Sequence, residues 1–530
     1  MMRSADPFRV VHVTALVLCA VFLPWSTAFL SMSQMLLAAN WLAEGVVRRD
    51  LGKRFRRSIS SGPVLVFLSF FALHVFGLLW SEDLGWGADL GRILFPILVF
   101  GIILGGSVRL TARELRLVLL FGAWSVVACS LFGLLFSGAV DGDYRVLSMF
   151  ISHIRLALLL CLAIAVFVHY RQGPLWLLFA QAIAALWCVY ALNKLGSIQA
   201  FIILSLIVSA ALWRNAAQRG TTLRWTIRIA LCIAPLLILA FAAVEFRERT
   251  KLPSADLPGR MLRSAGGELY SYDVKNPQTE NGTFVWTHIA WNELRRAWML
   301  RSERSLDALD DNGNPLWSTA VRYLASKGLR KDSVGVMSLD ESDVKAIERG
   351  VPNVLQGRRH KLRERFEEVL FELTMYGTSG NANGHSVAMR LEFWKTGLAI
   401  AKANWLVGVG TGDTQLAFDH AYEKRQSSLL PKWRLRAHNE YLTLWISFGI
   451  IGLLWALFSW WWPAWKNGAW RDPLFIAWAI TFAVSCLTDD TIETQAGATF
   501  FALYYALFVF AAPLKEAPPE AHAHDADRSV

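Results

Sequence analysis

His438 stands in the run Arg436-Ala437-His438-Asn439-Glu440-Tyr441-Leu442, directly before a long apolar block. A histidine's unperturbed pKa of about 6.5 suits it to take and return a proton near neutrality. Asn439 or Glu440 is expected to position its ring. The same run also fits a plainer role, an interfacial histidine making a structural hydrogen bond. Two upstream motifs weigh against that. Met389-Arg390-Leu391-Glu392-Phe393-Trp394 supplies an arginine fork, which can meet phosphate oxygens two at a time. Gly408-Val409-Gly410-Thr411-Gly412-Asp413 is a glycine-rich turn. Such a turn is weak alone, because phosphate cradles, tight turns and linkers look alike. Arg390, Gly410 and His438 together suggest an anion-binding site with an acid/base group beside it.

The elements that must position these residues are membrane helices. The chain has 530 residues, of which 54% are hydrophobic and 18% charged. A hydrocarbon core about 30 Å thick needs roughly 17–25 apolar residues per spanning helix. About twelve blocks have that character: Val10–Trp25, Phe29–Val47, Pro63–Trp80, Ile93–Val108, Val118–Phe136, Leu156–His169, Leu175–Leu192, Ile198–Trp213, Ile229–Val244, Tyr441–Trp462, Leu474–Leu487 and Ala498–Pro513. They are uniformly apolar rather than alternating, which selects helices over barrel strands. The expected fold is an all-α polytopic membrane protein. Val10–Trp25 lacks a small-x-small cleavage site and is read as a retained anchor. Trp460-Trp461-Trp462-Pro463-Ala464-Trp465 is expected in an interfacial belt, with a Trp-lined groove as the alternative. The six cysteines all fall in apolar blocks, leaving no disulfide framework and no CxxC pair.

The net charge of +11 is placed as the positive-inside rule requires, and nucleic acid is not an expected partner. Basic clusters (Arg48 to Arg57, Arg109 to Arg116, Arg171, Arg214 to Arg228, Lys466 with Arg471) follow the second, fourth, sixth, eighth and tenth blocks. The alternate loops carry Glu82, Asp83 and Asp89, then Asp141 and Asp143, then Asp489, Asp490 and Glu493. This alternation puts both termini in the cytoplasm. It brings the turns around Arg155, Lys194 and Glu493 to the outer face with a loop of roughly 190 residues. The expected division is 1–245 for helices one to nine, 246–438 for a large, mostly helical periplasmic loop, 439–514 for helices ten to twelve, and 515–530 for a disordered cytoplasmic tail. Within the loop, Ser338-Leu339-Asp340-Glu341 fits a capping box for a helix that stops at Gly350. Arg358 to Leu373 reads as an amphipathic basic helix, either a solvated face or one resting on lipid head groups. Asn281-Gly282-Thr283 matches a glycosylation sequon, although a turn is the simpler reading.

The chain resembles the O-antigen ligase family, a superfamily of bacterial membrane glycosyltransferases that includes O-antigen polymerases. Ser386 to Trp394, Gly408 to Asp413, Ala437 to Leu442 and Phe448-Gly449-Ile450-Ile451-Gly452 carry the resemblance. Phe150 to Arg155, Arg322 to Leu329 and Ile492 to Gly497 resemble long-loop ligases. The resemblance implies a donor glycan on undecaprenyl pyrophosphate, a lipid A-core sugar hydroxyl as acceptor, and inverting transfer with neither a metal nor a cofactor. It implies His438 as general base, Arg390 and Arg155 as pyrophosphate ligands, and Asn439, Glu440, Asp413, Gly410 and Glu493 in support. Where family members carry Ser-Arg before the eighth helix, this chain has Asn193-Lys194, so Lys194 would supply a point charge instead of a fork. A carboxylate at a membrane edge is costly alone, so Glu493 is expected to pair with Arg155 or Arg390. The alternatives are a polymerase using the same donor, a protein O-glycosyltransferase, and a transporter of lipid-linked sugars. A transporter would place charge at the bilayer midplane within broken helices, whereas here the polar motifs gather at one rim.

Overall fold

A computed structural model describes residues 6–136, 148–250, 262–355 apart from 274, 275 and 277, and 368–513 apart from 371, 374, 375, 378 and 379. Each of the apolar blocks falls on a helix, although Leu84–Gly106, Ala112–Phe136 and Thr221–Thr250 start well before their blocks. Among the described residues, six helices are long and apolar enough to cross a membrane: Gly62–Trp80, Leu84–Gly106, Ala112–Phe136, Leu175–Leu195, Ile198–Ala216 and Glu440–Lys466. Shorter apolar helices among them are Pro7–Phe22, His153–His169, Pro473–Thr488 and Gln495–Ala511. Thr27–Val47 has the length of a span but also carries Gln34, Asn40 and Glu44. Neighbours satisfy its amides, with Gln34 Nε2 donating to Thr499 Oγ1 at 3.1 Å and Asn40 Nδ2 to the Phe8 carbonyl at 3.0 Å. Asp141, Asp143, the arginines from Arg358 to Arg365 and the tail from Lys515 lie outside the described residues.

The chain divides into two compact units. The first comprises Met1–Ala211, Trp394–Ala421 and Leu435–Val530. Trp394–Ala421, assigned by sequence to the loop, thus packs with the helical unit, for a reason visible at Gly449. The Glu440–Lys466 helix breaks there, at φ 65° and ψ −172°. The break strips helical partners from nearby backbone groups, and an unmet buried group costs about 1–3 kcal/mol. Residues 405–410 supply the partners: Val409 N donates to Ile446 O and Gly410 N to Ser447 O, both at 2.9 Å, and Ile450 N donates to Trp405 O at 2.8 Å. Only glycine fits the junction. A Cβ at Gly449 would overlap the Leu406 carbonyl, and one at Gly408 (φ 79°) would overlap the Ser447 carbonyl. Trp460, expected in an interfacial belt, is fully buried against Phe70, Phe482 and Phe501, whereas Trp465 is exposed.

The second unit comprises Leu212–Phe393 and Tyr422–Arg434. Its core gathers Val285, Leu294, Trp298, Val321, Leu324 and Ile347 from the helices Trp291–Met299, Leu316–Ser326 and Glu341–Glu348 and the segment before them. The Asn281-Gly282 pair is a hairpin turn joining Thr279–Glu280 to Thr283–Phe284, with both residues at positive φ, as the simpler reading expected. The capping box exists but starts two residues later than expected. Asp340 caps the Asp343 amide and Asp343 returns to the Asp340 amide, because Ser338 already closes the preceding helix, Ser333–Met337. That helix ends before Gly350, as expected, with Gly350 at φ 81°.

Gly449→Ala should destabilise the first unit by about 2–5 kcal/mol, combining left-handed strain with overpacking. Its thermal midpoint in detergent should fall well below that of wild type. Gly91→Ala, where an added Cβ meets nothing within 4 Å, should leave the midpoint unchanged, and equal midpoints for the two variants would refute the interlock.

Candidate functional site

His438 ends the segment that enters the Glu440–Lys466 helix. Asn439 is the N-cap, accepting from Leu442 N at 3.1 Å, the role its short amide favours. Glu440, the first helical residue, turns inward and accepts from Ile492 N at 3.1 Å. Both side chains thus bind backbone amides, at Leu442 and Ile492. The imidazole instead presents Nδ1 to Asp489 Oδ1 at 3.4 Å, a contact longer than a tight hydrogen bond, as unliganded catalytic pairs often are. His438 adopts φ 45°, the left-handed region that a residue with a Cβ occupies only when its surroundings force it.

Asp489 lies just beyond the Pro473–Thr488 helix and bonds Arg155 on the other side. Arg155 is itself buried, at 7% exposure. Its Nη2 donates to the Asp490 carbonyl and its Nε to Thr494 Oγ1, each at 3.3 Å. The sequence assigned Arg155 to pyrophosphate; here its three nitrogens meet Asp489, Asp490 and Thr494. Asp490 in turn accepts from Thr443 Oγ1 at 2.8 Å and Asn439 N at 3.2 Å. The short turn Thr491–Glu493 closes the group. Glu493 pairs with Arg436 rather than with Arg155 or Arg390, because Asp489 and the backbone at 490 already take the Arg155 fork. The Arg436 guanidinium also lies 5.0 Å from the Trp86 ring centroid, within cation–π range.

The environment separates the two carboxylates. Burial raises Asp489, but the hydrogen bond from His438 and the charge of Arg155 outweigh it and hold the carboxyl at about 2. Burial pushes Glu493 up to about 7 against the pull of Arg436, and the nearby Asp490 adds to the rise. Asp489 is therefore a fixed anion at neutral pH. It can hold the imidazole in one orientation and stabilise an imidazolium.

The glycine turn is a splice, not a phosphate cradle. Its amides at Val409, Gly410, Thr411 and Gly412 donate to Ile446 O, Ser447 O, Gly77 O and Ser81 Oγ. Thr411 Oγ1 reaches the His74 carbonyl at 2.6 Å. Asp413 accepts from Glu82 N and Asp83 N at 2.9 Å, tying the turn to the start of the Leu84–Gly106 helix. Gly410 and Asp413 thus act through the backbone. Lys194 ends the Leu175–Leu195 helix with Nζ 5.6 Å from the Tyr190 ring centroid, and it lines a small cavity with Ser130, Leu156 and Trp187. Arg390 belongs to the second unit, where Nη1 donates to Ser386 O at 3.2 Å. One turn later on the same Ser386–Ala403 helix, the Trp394 indole donates to the Ala437 carbonyl at 3.0 Å, directly before His438. Asp489, Asp490, Thr443 and Arg436 are the members of the group that sequence reasoning passed over. The available signal was the adjacent acidic pair closing an apolar helix, opposite an arginine at the start of another.

These features define a helical membrane protein with a histidine–carboxylate–guanidinium cluster where its helices end. Residues 350–457, about a fifth of the chain, match the family model described as O-antigen ligase. That segment is thus similar to the O-antigen ligase family. No curated protein matches it.

The two shifted carboxyls give opposite pH dependences. The unfolded chain releases the Glu493 proton near pH 4.3, whereas the folded chain keeps it to about 7. The stability this contributes is complete below about pH 4 and is lost as pH rises through 7. The contribution of Asp489 is present above about pH 4 and is lost only as pH falls toward 2. Glu493→Gln should flatten the fall in thermal midpoint between pH 5 and 8. A wild-type midpoint as flat as the variant's over that range would remove the assignment.

Proposed function

We propose that this protein is an O-antigen ligase-type glycosyltransferase, moving a glycan from undecaprenyl pyrophosphate to a sugar hydroxyl of lipid A-core. The observation that carries the reading is His438, inside the segment similar to the ligase family, beside the ionised Asp489. The acceptor hydroxyl attacks the anomeric carbon as its bond to pyrophosphate breaks, with inversion, and the proton passes to the His438 imidazole. General-base help of this kind contributes roughly 10²–10⁴-fold. Asp489 steadies the imidazolium, and Arg155 acts through Asp489 instead of on the phosphate. Arg390 and Lys194 are assigned to the leaving pyrophosphate, whose charge needs fixed cations. The enzyme is placed in the bacterial inner membrane, with the site and the loop 246–438 on the periplasmic face. The polymerase reading remains the alternative, because the matched superfamily includes both activities.

A deletion strain should lose capped lipopolysaccharide and accumulate long polymer on the lipid carrier. Wild type should restore capping, whereas His438→Ala and Asp489→Asn should fall short by roughly 10²-fold or more in transfer rate. Capped molecules that persist with a single repeat unit would identify a polymerase instead. For the orientation, a cysteine at the exposed Glu303, in a Cys232→Ser background, should react with an impermeant maleimide added to spheroplasts. Reaction only after lysis would reverse the topology.

A further inference from the structure

The second unit contains an aromatic and cationic face that the transfer chemistry leaves unused. Ser271 bridges Ile289 antiparallel, and Ile289 bridges Lys331 in parallel. Ile289 and Lys331 are buried at 2% and 1% exposure. The Lys331 ammonium donates to the carbonyls of Phe284 at 2.7 Å and Thr287 at 3.2 Å, and its amide donates to the His288 carbonyl at 3.0 Å. The chain on either side of His288 is thereby pinned from beneath, and His288 is driven to φ 55°. Left-handed residues with a Cβ persist where the surroundings over-determine them, and they gather at ligand clamps.

The neighbours of the bridged residues meet one another. The His288 ring stands edge-on to Tyr270, centroids 5.5 Å apart, and to Tyr272 at 4.9 Å. Tyr270 is the floor, 4% exposed, with its hydroxyl donating to Asp332. The exposed Arg330 lays its guanidinium 5.7 Å above that ring. Tyr272 is half-buried, and its hydroxyl has no partner among the described residues. Burial, with the charges of Arg330 and Lys331, holds His288 below the usual histidine range. Its neutral ring can therefore donate at one nitrogen and accept at the other.

From these contacts we infer that the Tyr270–Tyr272–His288–Arg330 face is a subsite for an anionic saccharide unit, phosphorylated or uronic. A guanidinium fork suits a phosphate or carboxylate. Arg330 alone would accept any anion. The unpartnered Tyr272 hydroxyl and the neutral His288 add partners for ring hydroxyls. This deepens the transferase reading by naming the class of sugar that the second unit holds.

The test is saturation-transfer NMR on the full chain in nanodiscs, with glucose 1-phosphate, glucuronate, glucose and inorganic phosphate as separate probes. One or both anionic sugars should bind and glucose should not, and which of them binds identifies the source of the charge. Arg330→Gln should weaken that binding at least tenfold and Tyr272→Phe severalfold, with thermal midpoints unchanged. His438→Ala should bind as wild type does. Equal binding by wild type and Arg330→Gln overturns the subsite, as does inorganic phosphate binding as tightly as glucose 1-phosphate. If no sugar binds while glycan transfer proceeds, the subsite fails and the transferase reading stands. Arginine-dependent sugar binding by a chain that transfers no glycan would leave the subsite and remove the transferase.

Discussion

At Gly449 the carbonyls of Ile446 and Ser447 and the amide of Ile450 are met by residues 405–410 instead of by their own helix. An apolar environment has no water to take those groups, so the break exists only because the splice fills it. The splice also carries the glycine turn, which reaches on to His74, Gly77, Ser81 and the amides at Glu82 and Asp83. One backbone interlock therefore fixes the Gly62–Gly77 helix, the start of the Leu84–Gly106 helix and the half-helix that begins beside His438. The glycines at 408 and 449 answer a problem of close backbone approach, and the site depends on them at a distance.

The second constraint is ionic. Arg155 and Asp489 are both nearly buried, and removing one partner of such a pair typically costs about 3–5 kcal/mol because the other charge is left behind. Asp489 cannot easily be protonated, moved or replaced, which suits a group that must hold an imidazole still. Asn439, Thr443 and the Asp490 carboxylate lock the helix start to the turn that carries Asp489. His438 is thus positioned by two helix ends that are joined by hydrogen bonds independent of the histidine.

The helices were legible because their cause is local: an apolar run long enough to span hydrocarbon reads the same in sequence and in structure. The meeting of the segments at Arg155, His438 and Glu493 was legible too, because charge alternation between loops sorted the turns. The partners were not legible. Asp489 meets Arg155 across more than 300 positions, and nothing local separates it from an ordinary loop acid. Asn439 and Glu440 looked like the natural supports of His438, yet a helix start turns such residues toward its own amides and interior. The GxGTGD pattern was misleading for a related reason. Its glycines do expose amides at close range, but backbone carbonyls of neighbouring helices take them, and no sequence pattern distinguishes those acceptors from a phosphate.

The charge around His438 also sets a division of labour. Burial raises Glu493, whereas Asp489 stays ionised beside the buried Arg155, so the lasting negative charge at His438 is the Asp489 carboxylate. A fixed anion at the imidazole stabilises an imidazolium as it forms, which favours proton removal from a hydroxyl. The three nitrogens of Arg155 are engaged by Asp489, Asp490 and Thr494, so its charge serves to hold Asp489 in place rather than to meet a free anion.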